Sequence, residues 1–307
     1  MFLMIKSNQG CSGFLLVDKP SGITSSKLVQ VIKKTFSLNK IGHTGTLDPL
    51  ATGLMVLCVG QATKFSQFLL VKDKSYRVSI KLGVATDTFD SEGVVTSERS
   101  SSHVTRDMVE MSLTSFQGEI EQTPPMYSAI KKNGVPLYKM ARRGLKIDLE
   151  PRKVNIHEIK ILELDGKFLD LKVCCSKGTY IRTIAADLGD VLGCGAHVAE
   201  LRRLSVGSYD EKDMLGLDEL INLKNRDDLA HHLLPIASAF KGWSEILIDP
   251  RQARLLKNGV KLSDRFVSKA SQVGIYESID GVKKKFIGVG EILEDGFLKP
   301  LRMVVSV

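Results

Sequence analysis

Gly42-His43-Thr44-Gly45-Thr46-Leu47-Asp48-Pro49-Leu50-Ala51-Thr52-Gly53 puts three glycines, three threonines, a proline, a histidine and an aspartate into twelve residues between a helical and a strand pattern. Pro49 restricts Asp48 to extended backbone, and the glycines permit close backbone approach or positive φ. The threonines supply local hydrogen bonds able to hold the carboxylate in one rotamer. An ionised, immobilised Asp48 is suited to act as nucleophile or base. An Asx-turn in front of a proline accounts for the same residues, and both readings stay open at this point.

Upstream, Phe14-Leu-Leu-Val17 reads as a short buried strand stopped by Lys19-Pro20-Ser21-Gly22. Ser25 or Ser26 is expected to cap a helix with Leu28, Val29, Ile32 and Phe36 on its apolar face. Downstream, residues 54–59 form an apolar strand, and Tyr76, Val78, Ile80 and Leu82 alternate with Arg77, Ser79 and Lys81 as a strand buried on one side. Thr105 starts a helix through Phe116. Val154–Leu164 and Leu169–Cys175 read as a strand pair, and Thr179 is expected to cap a helix that turns Ile181, Ile184, Ala185 and Leu188 inward. Strands and helices do not alternate strictly, so the expected class is α+β, with a mixed, largely antiparallel sheet flanked by helices. After about residue 240 the texture changes. Asp249-Pro250 begins a helix, Asn258-Gly259 ends it, and short strands at 274–276, 286–289 and 303–305 suggest a small β-rich barrel. The expected division is a body over 1–240 and a second domain over 241–307.

The 307 residues carry 43 basic and 35 acidic side chains, a net charge of +8 that is unevenly placed. Residues 126–155 hold eight basic and two acidic residues, residues 241–307 twelve and eight, and the remainder is slightly negative. Two basic segments point to a polyanionic partner held in two places, against the plainer reading of a solvated basic loop. Five cysteines without Cys-x-x-Cys spacing give neither a disulfide framework nor a zinc knuckle. No apolar run approaches a membrane span and the N-terminus lacks signal-peptide architecture, so the expected setting is the cytoplasm, with no membrane contact. Asp48 and Thr52 share the spacing of a phosphatase Asp-x-Asp-x-Thr, but Leu50 stands where the second carboxylate belongs. Walker, Gly-x-Gly-x-x-Gly and Gly-x-Ser-x-Gly motifs are absent. His43 and Asp48 do not have chelating spacing, and His231 and His232 would diverge by about 100° on a helix. No metal and no cofactor are expected.

The loop 42–53 resembles the catalytic motif of the TruB family, tRNA pseudouridine-55 synthases that isomerise a T-loop uridine. Lys19-Pro20-Ser-Gly-Ile-Thr-Ser resembles that family's N-terminal motif, and Lys74-Ser-Tyr76-Arg its tyrosine motif. Cys175-Ser-Lys-Gly-Thr-Tyr180-Ile-Arg182-Thr resembles its arginine motif and Leu201-Arg-Arg-Leu-Ser-Val-Gly its leucine motif. The matches cover about residues 13–210; beyond them the resemblance is to a PUA-like RNA-binding domain and rests on size, place and β-rich pattern.

The resemblance implies a pseudouridine synthase fold and an isomerisation in which the uracil N1–C1′ bond breaks, the base turns and C5 is joined to C1′. It makes Asp48 the nucleophile and sets Arg182 against it, where a guanidinium lowers a carboxylate pKa by about 1–3 units in typical pairs. Tyr76 becomes the ring stacked on the target base, which Tyr180 and Leu201 help to enclose, and His43 takes the place of the flipped-out base. The segment 126–155, with Lys131, Lys132, Arg142 and Arg143, corresponds to the insertion that closes over the T-arm and contacts phosphates. The expected partner is tRNA, gripped by a monomer without an obligate protein partner. Two rivals are a tRNA-binding folding factor (a chaperone) whose catalysis is secondary, and the same isomerisation on another RNA.

Overall fold

A computed structural model describes residues 11–145, 147–223 and 225–305. Lys146 of the basic segment lies outside the described residues. The body is built on a ten-stranded sheet. Its main strands are β1 (Gly13–Lys19), β2 (Ile41–His43), β3 (Thr52–Val59), β4 (Lys74–Leu82), β5 (Gly118–Gln122), β6 (Arg152–Asp165), β7 (Phe168–Cys175), β8 (Ala196–Val206) and β9 (Leu215–Gly216). They run in the order β9-β1-β3-β8-β4-β7-β6-β5, with β2 beside β3 and the short strand Tyr209–Asp210 beside β8. The β9/β1 and β3/β8 ladders are parallel and the others antiparallel. This is the mixed, largely antiparallel sheet expected from the sequence.

The unbroken apolar runs of β1 and β3 follow from burial on both faces. Leu15, Val17, Met55, Leu57 and Val59 join a core with Leu28 and Ile32 of helix α1 (Ser25–Thr35), Val109 of α2 (Arg106–Leu113) and Ile184, Ala185 and Leu188 of α3 (Ile181–Val191). Phe14, Leu16, Leu54, Val56 and Cys58 face the other way, toward Phe65, Phe68, Phe240 and Val289. Each such side chain contributes about 1.5–3 kcal/mol relative to an exposed one. The cap of α1 is Thr24, which accepts from the Lys27 amide, rather than Ser25 or Ser26. Ser25 is buried and its hydroxyl serves Leu47 instead. Thr179 is likewise no cap: its hydroxyl donates to the Ser176 carbonyl, and Gln122 accepts from the Tyr180 amide at the start of α3.

The C-terminal sheet comprises β10 (Glu245–Ile248), β11 (Gln272–Ile279), β12 (Lys283–Ile292) and β13 (Leu298–Met303), paired in that order with only β10/β11 parallel. This is the small β-rich unit expected; among the described residues no ladder joins its first and last strands, and a bridge at Leu262–Leu298 lies across its last strand. Its last strand ends at Met303 instead of spanning 303–305. Helix α4 (Pro250–Lys257) has the expected start, with Asp249 and Gln252 forming a capping box. Phe286 stacks on Phe240 with ring centroids 5.5 Å apart, which ties this sheet to the apolar face behind β1 and β3. No helix among the described residues is long and apolar enough to cross a membrane.

Candidate active site

The glycine-rich loop is clamped by side chains from three elements. Its first residues, Gly42 and His43, belong to β2, so the irregular part starts at Thr44, whose amide and hydroxyl both donate to the Val56 carbonyl. The Ser25 hydroxyl both donates to the Leu47 carbonyl and accepts from its amide at 2.8 Å. Lys19, fully buried, donates to the carbonyls of Pro20, Pro49 and Ala51 at 2.8, 3.1 and 2.7 Å. Burial pulls its ammonium down to about 8, against the opposing pull of Asp48. Gly53, at φ +96°, passes so close to β8 that a Cβ would meet the Arg203 carbonyl oxygen at 2.3 Å. The loop is therefore a fixed platform.

The hydroxyls of Thr44 and Thr52 donate to backbone carbonyls, of Val56 and Leu201, and Asp48 itself is held by Arg182. The guanidinium places Nε 2.9 Å from Oδ2 and donates from Nη2 to Oδ1 at 3.2 Å. The Nε–Oδ2 approach is an ion-pair contact whose N–H direction misses an acceptor, so the hydrogen bond proper is that of Nη2. Arg182 is 3% exposed and also donates to the carbonyls of Thr88 and Tyr127, both at 2.8 Å, while Nη1 lies 3.3 Å from Asp90 Oδ2. The net effect on Asp48 differs from the expectation. Burial raises its carboxyl above the ordinary aspartate value, Arg182 pulls the other way and Asp90 adds to the rise. A third of the Asp48 side chain remains open to solvent, so crowding on its other sides rather than full enclosure drives the shift.

Tyr76 and Leu201 lie on neighbouring strands. Tyr76 is 9% exposed in β4, on the same face as Val78 and Ile80, and Leu201 of β8 pairs with Val78. Tyr180 is half-buried at the start of α3, held through both backbone groups by Gln122. Both phenols lie within electrostatic reach of Asp48. His43 is half-buried, and its Nδ1 accepts from the Gly45 amide at 3.4 Å, which leaves the proton of the neutral ring on Nε2. Burial, with Arg203 nearby, keeps this imidazole below its ordinary pKa.

Lys131, Lys132, Arg142 and Arg143 are exposed, away from this cluster, on a hairpin at 131–136 and just after a short helix at 137–141. The root of their segment reaches the site through the Tyr127 carbonyl on Arg182 and through Ser128, which lies beside the Tyr180 phenol. Two residues were not singled out from sequence. Asp90, buried beside Arg182, accepts from the Thr88 hydroxyl and the Glu92 amide. Arg203 is 2% exposed and donates to Leu54 and Gly45 carbonyls. A buried arginine inside a strand pattern is a readable signal, whereas Asp90 sits in an ordinary polar loop and gives none. Among the described residues no three His, Cys, Asp or Glu side chains converge as a metal-holding group.

Family models match nearly the whole described chain. Residues 33–181 match the TruB family pseudouridylate synthase N-terminal domain, residues 182–241 the tRNA pseudouridylate synthase B C-terminal domain, and residues 244–304 the C-terminal domain of pseudouridine synthase II TruB. The chain is 44% identical over 304 residues to tRNA pseudouridine synthase B of Yersinia pestis (strain Pestoides F), covering 96% of this chain and 93% of that protein. To the protein of the same name from Vibrio cholerae serotype O1 it is 42% identical, covering 98% and 99%. Among solved structures, an H/ACA RNP bound to a substrate RNA containing 2′-deoxyuridine aligns with TM-score 0.71 at 22% identity, covering 96% of this chain and 85% of that one. A Cbf5-Nop10-Gar1 complex aligns with TM-score 0.72 at 24% identity, covering 96% and 84%. These structural likenesses establish the fold.

Proposed function

The chain belongs to the TruB family of pseudouridylate synthases, and from that premise we propose that Asp48 is the nucleophile with which it isomerises the T-loop uridine at position 55 of tRNA. The chain is a tRNA pseudouridine synthase, converting uridine in tRNA to pseudouridine. The finer reading rests on one observation: an immobile, one-third-open carboxylate is clamped by the buried Arg182, with two phenols in electrostatic reach. The N1–C1′ bond breaks, the base turns and C5 bonds to C1′, while the C5 proton leaves to solvent and N1 takes up a proton in its place. Arg182 holds Asp48 ionised and aimed, and Tyr76 stacks on the base, where such contacts are worth about 1–3 kcal/mol. Tyr180 and Leu201 line the pocket, and His43 fills the gap left by the flipped uridine.

Lys131, Lys132, Arg142 and Arg143 grip the T-arm backbone, and the domain over 241–307 adds a second, PUA-like contact. Their exposure and the basic excess of both segments support this division. The catalytic unit spans 1–240 and acts as a monomer. Five free cysteines and a tRNA substrate are compatible with a cytoplasmic setting.

Tritium release from [5-³H]uridine-labelled tRNA tests the assignment. The wild type releases tritium and Asp48→Asn releases none; equal release by both removes Asp48 as the nucleophile.

A further inference from the structure

We propose that Arg203 is a positioning residue for this isomerisation, one buried guanidinium that holds the phenol of Tyr76 and the turn carrying His43 and Asp48 as a single unit. Arg203 is among the largest fully buried side chains of the protein, yet among the described residues no carboxylate lies within ion-pair distance of it. Burying a cation without a carboxylate is expensive, so its donors need other work. Nε donates to the Leu54 carbonyl at 2.6 Å and Nη2 to the Gly45 carbonyl at 3.2 Å. Tyr76 is its direct cross-strand partner on β4, which sets the two side chains on one face of the sheet with the phenol in electrostatic reach of the guanidinium. Its own backbone abuts Gly53 at the far end of the loop.

Three parts of the site therefore meet on one side chain: β3 beyond the loop, the Gly45 turn inside it, and the ring that stacks on the base. A neutral amide could satisfy the two carbonyls. It could not set a positive charge beside the Tyr76 ring across the β4/β8 ladder. The same charge helps to keep His43 neutral.

This inference rests on the reading of Tyr76 as the base-stacking ring. The test measures kcat and KM for tritium release with Arg203→Gln, Arg203→Met and Arg203→Lys, each first melted to establish that it folds. The uncharged variants lose about 10–100-fold in kcat, the range set by one or two charged hydrogen bonds, with KM within about threefold. Arg203→Lys recovers part of that loss. Unchanged kcat in a folded uncharged variant overturns the inference, and so does a defect confined to KM or a Lys variant no better than Gln. Absence of release by the wild type strikes instead at the parent reading, so the two failures are distinguishable.

Discussion

Replacing Arg182 by lysine keeps the charge and removes the fork, and the structure sets the size of the effect. Arg182 contacts both Asp48 oxygens, at 2.9 and 3.2 Å, and two backbone carbonyls at 2.8 Å. A lysine ammonium is shorter and concentrates its donors at one point, so at least two of these contacts go. At about 1.5–3 kcal/mol each the gross loss is roughly 3–6 kcal/mol. Water entering at the open third of Asp48 returns part of it. If about 3 kcal/mol remains in the transition state, single-turnover tritium release slows by about 10²-fold. The pH profile moves as well. Asp48 already sits above the ordinary aspartate range because burial outweighs the pull of Arg182. Loosening that pull raises it further. The reaction needs the carboxylate, so activity falls as pH drops through this raised value, and the acid limb of Arg182→Lys lies at higher pH than that of the wild type. A rate within threefold of wild type, or an unmoved acid limb, refutes the reasoning.

Lys19→Met strands the carbonyls of Pro20, Pro49 and Ala51 and is expected to lower stability by about 2–3 kcal/mol, read as a drop in melting temperature. Because the Lys19 ammonium is depressed to about 8, its contribution grows as pH rises from there toward the ordinary lysine value, so the gap to wild type widens between pH 8 and 10. Asp48→Asn moves stability the other way. A carboxyl with a raised pKa destabilises the fold once ionised, so at neutral pH the inactive variant melts no lower than wild type, and a lower melting point contradicts the assignment of that shift to burial. Neutralising Lys131, Lys132, Arg142 and Arg143 together weakens tRNA binding and flattens its dependence on log salt by up to about three units; an unchanged slope makes the segment a solvated loop.

The sheet was legible because β1, β3 and β4 carry different burial patterns that residue types alone display: apolar throughout for the first two, alternating for the third. Helix starts were less so. Thr24, Ser25 and Ser26 all suit a cap, and only the third dimension shows that the Ser25 hydroxyl serves Leu47 across 22 residues. The loop around Asp48 announced itself by composition, but its supports did not. Arg182 stands 134 residues from Asp48, and Asp90 reaches the pair only because its loop is bridged to β8 at Val198. The direction of the Asp48 shift was missed for the same reason: a sequence shows the cation beside a carboxylate, while desolvation depends on how tightly the fold crowds it.

The net charge of +8 conceals two uses of positive charge that obey different physics. The exposed cations of the 126–155 segment act through water, where attraction to phosphate is screened within about 8 Å at physiological salt and contributes affinity rather than geometry. Lys19, Arg182 and Arg203 are each no more than 3% exposed, and all three donate to backbone carbonyls or to groups of the loop that ends at Gly53. Their fields are poorly screened and their donors fix atoms in place, so losing one should change rate and pH dependence with little change in the salt slope of binding. Losing an exposed lysine should do the reverse. Measuring both quantities for one variant of each kind therefore separates grip from chemistry, and a buried-cation variant whose main defect is a flattened salt slope would show that the two uses are not distinct.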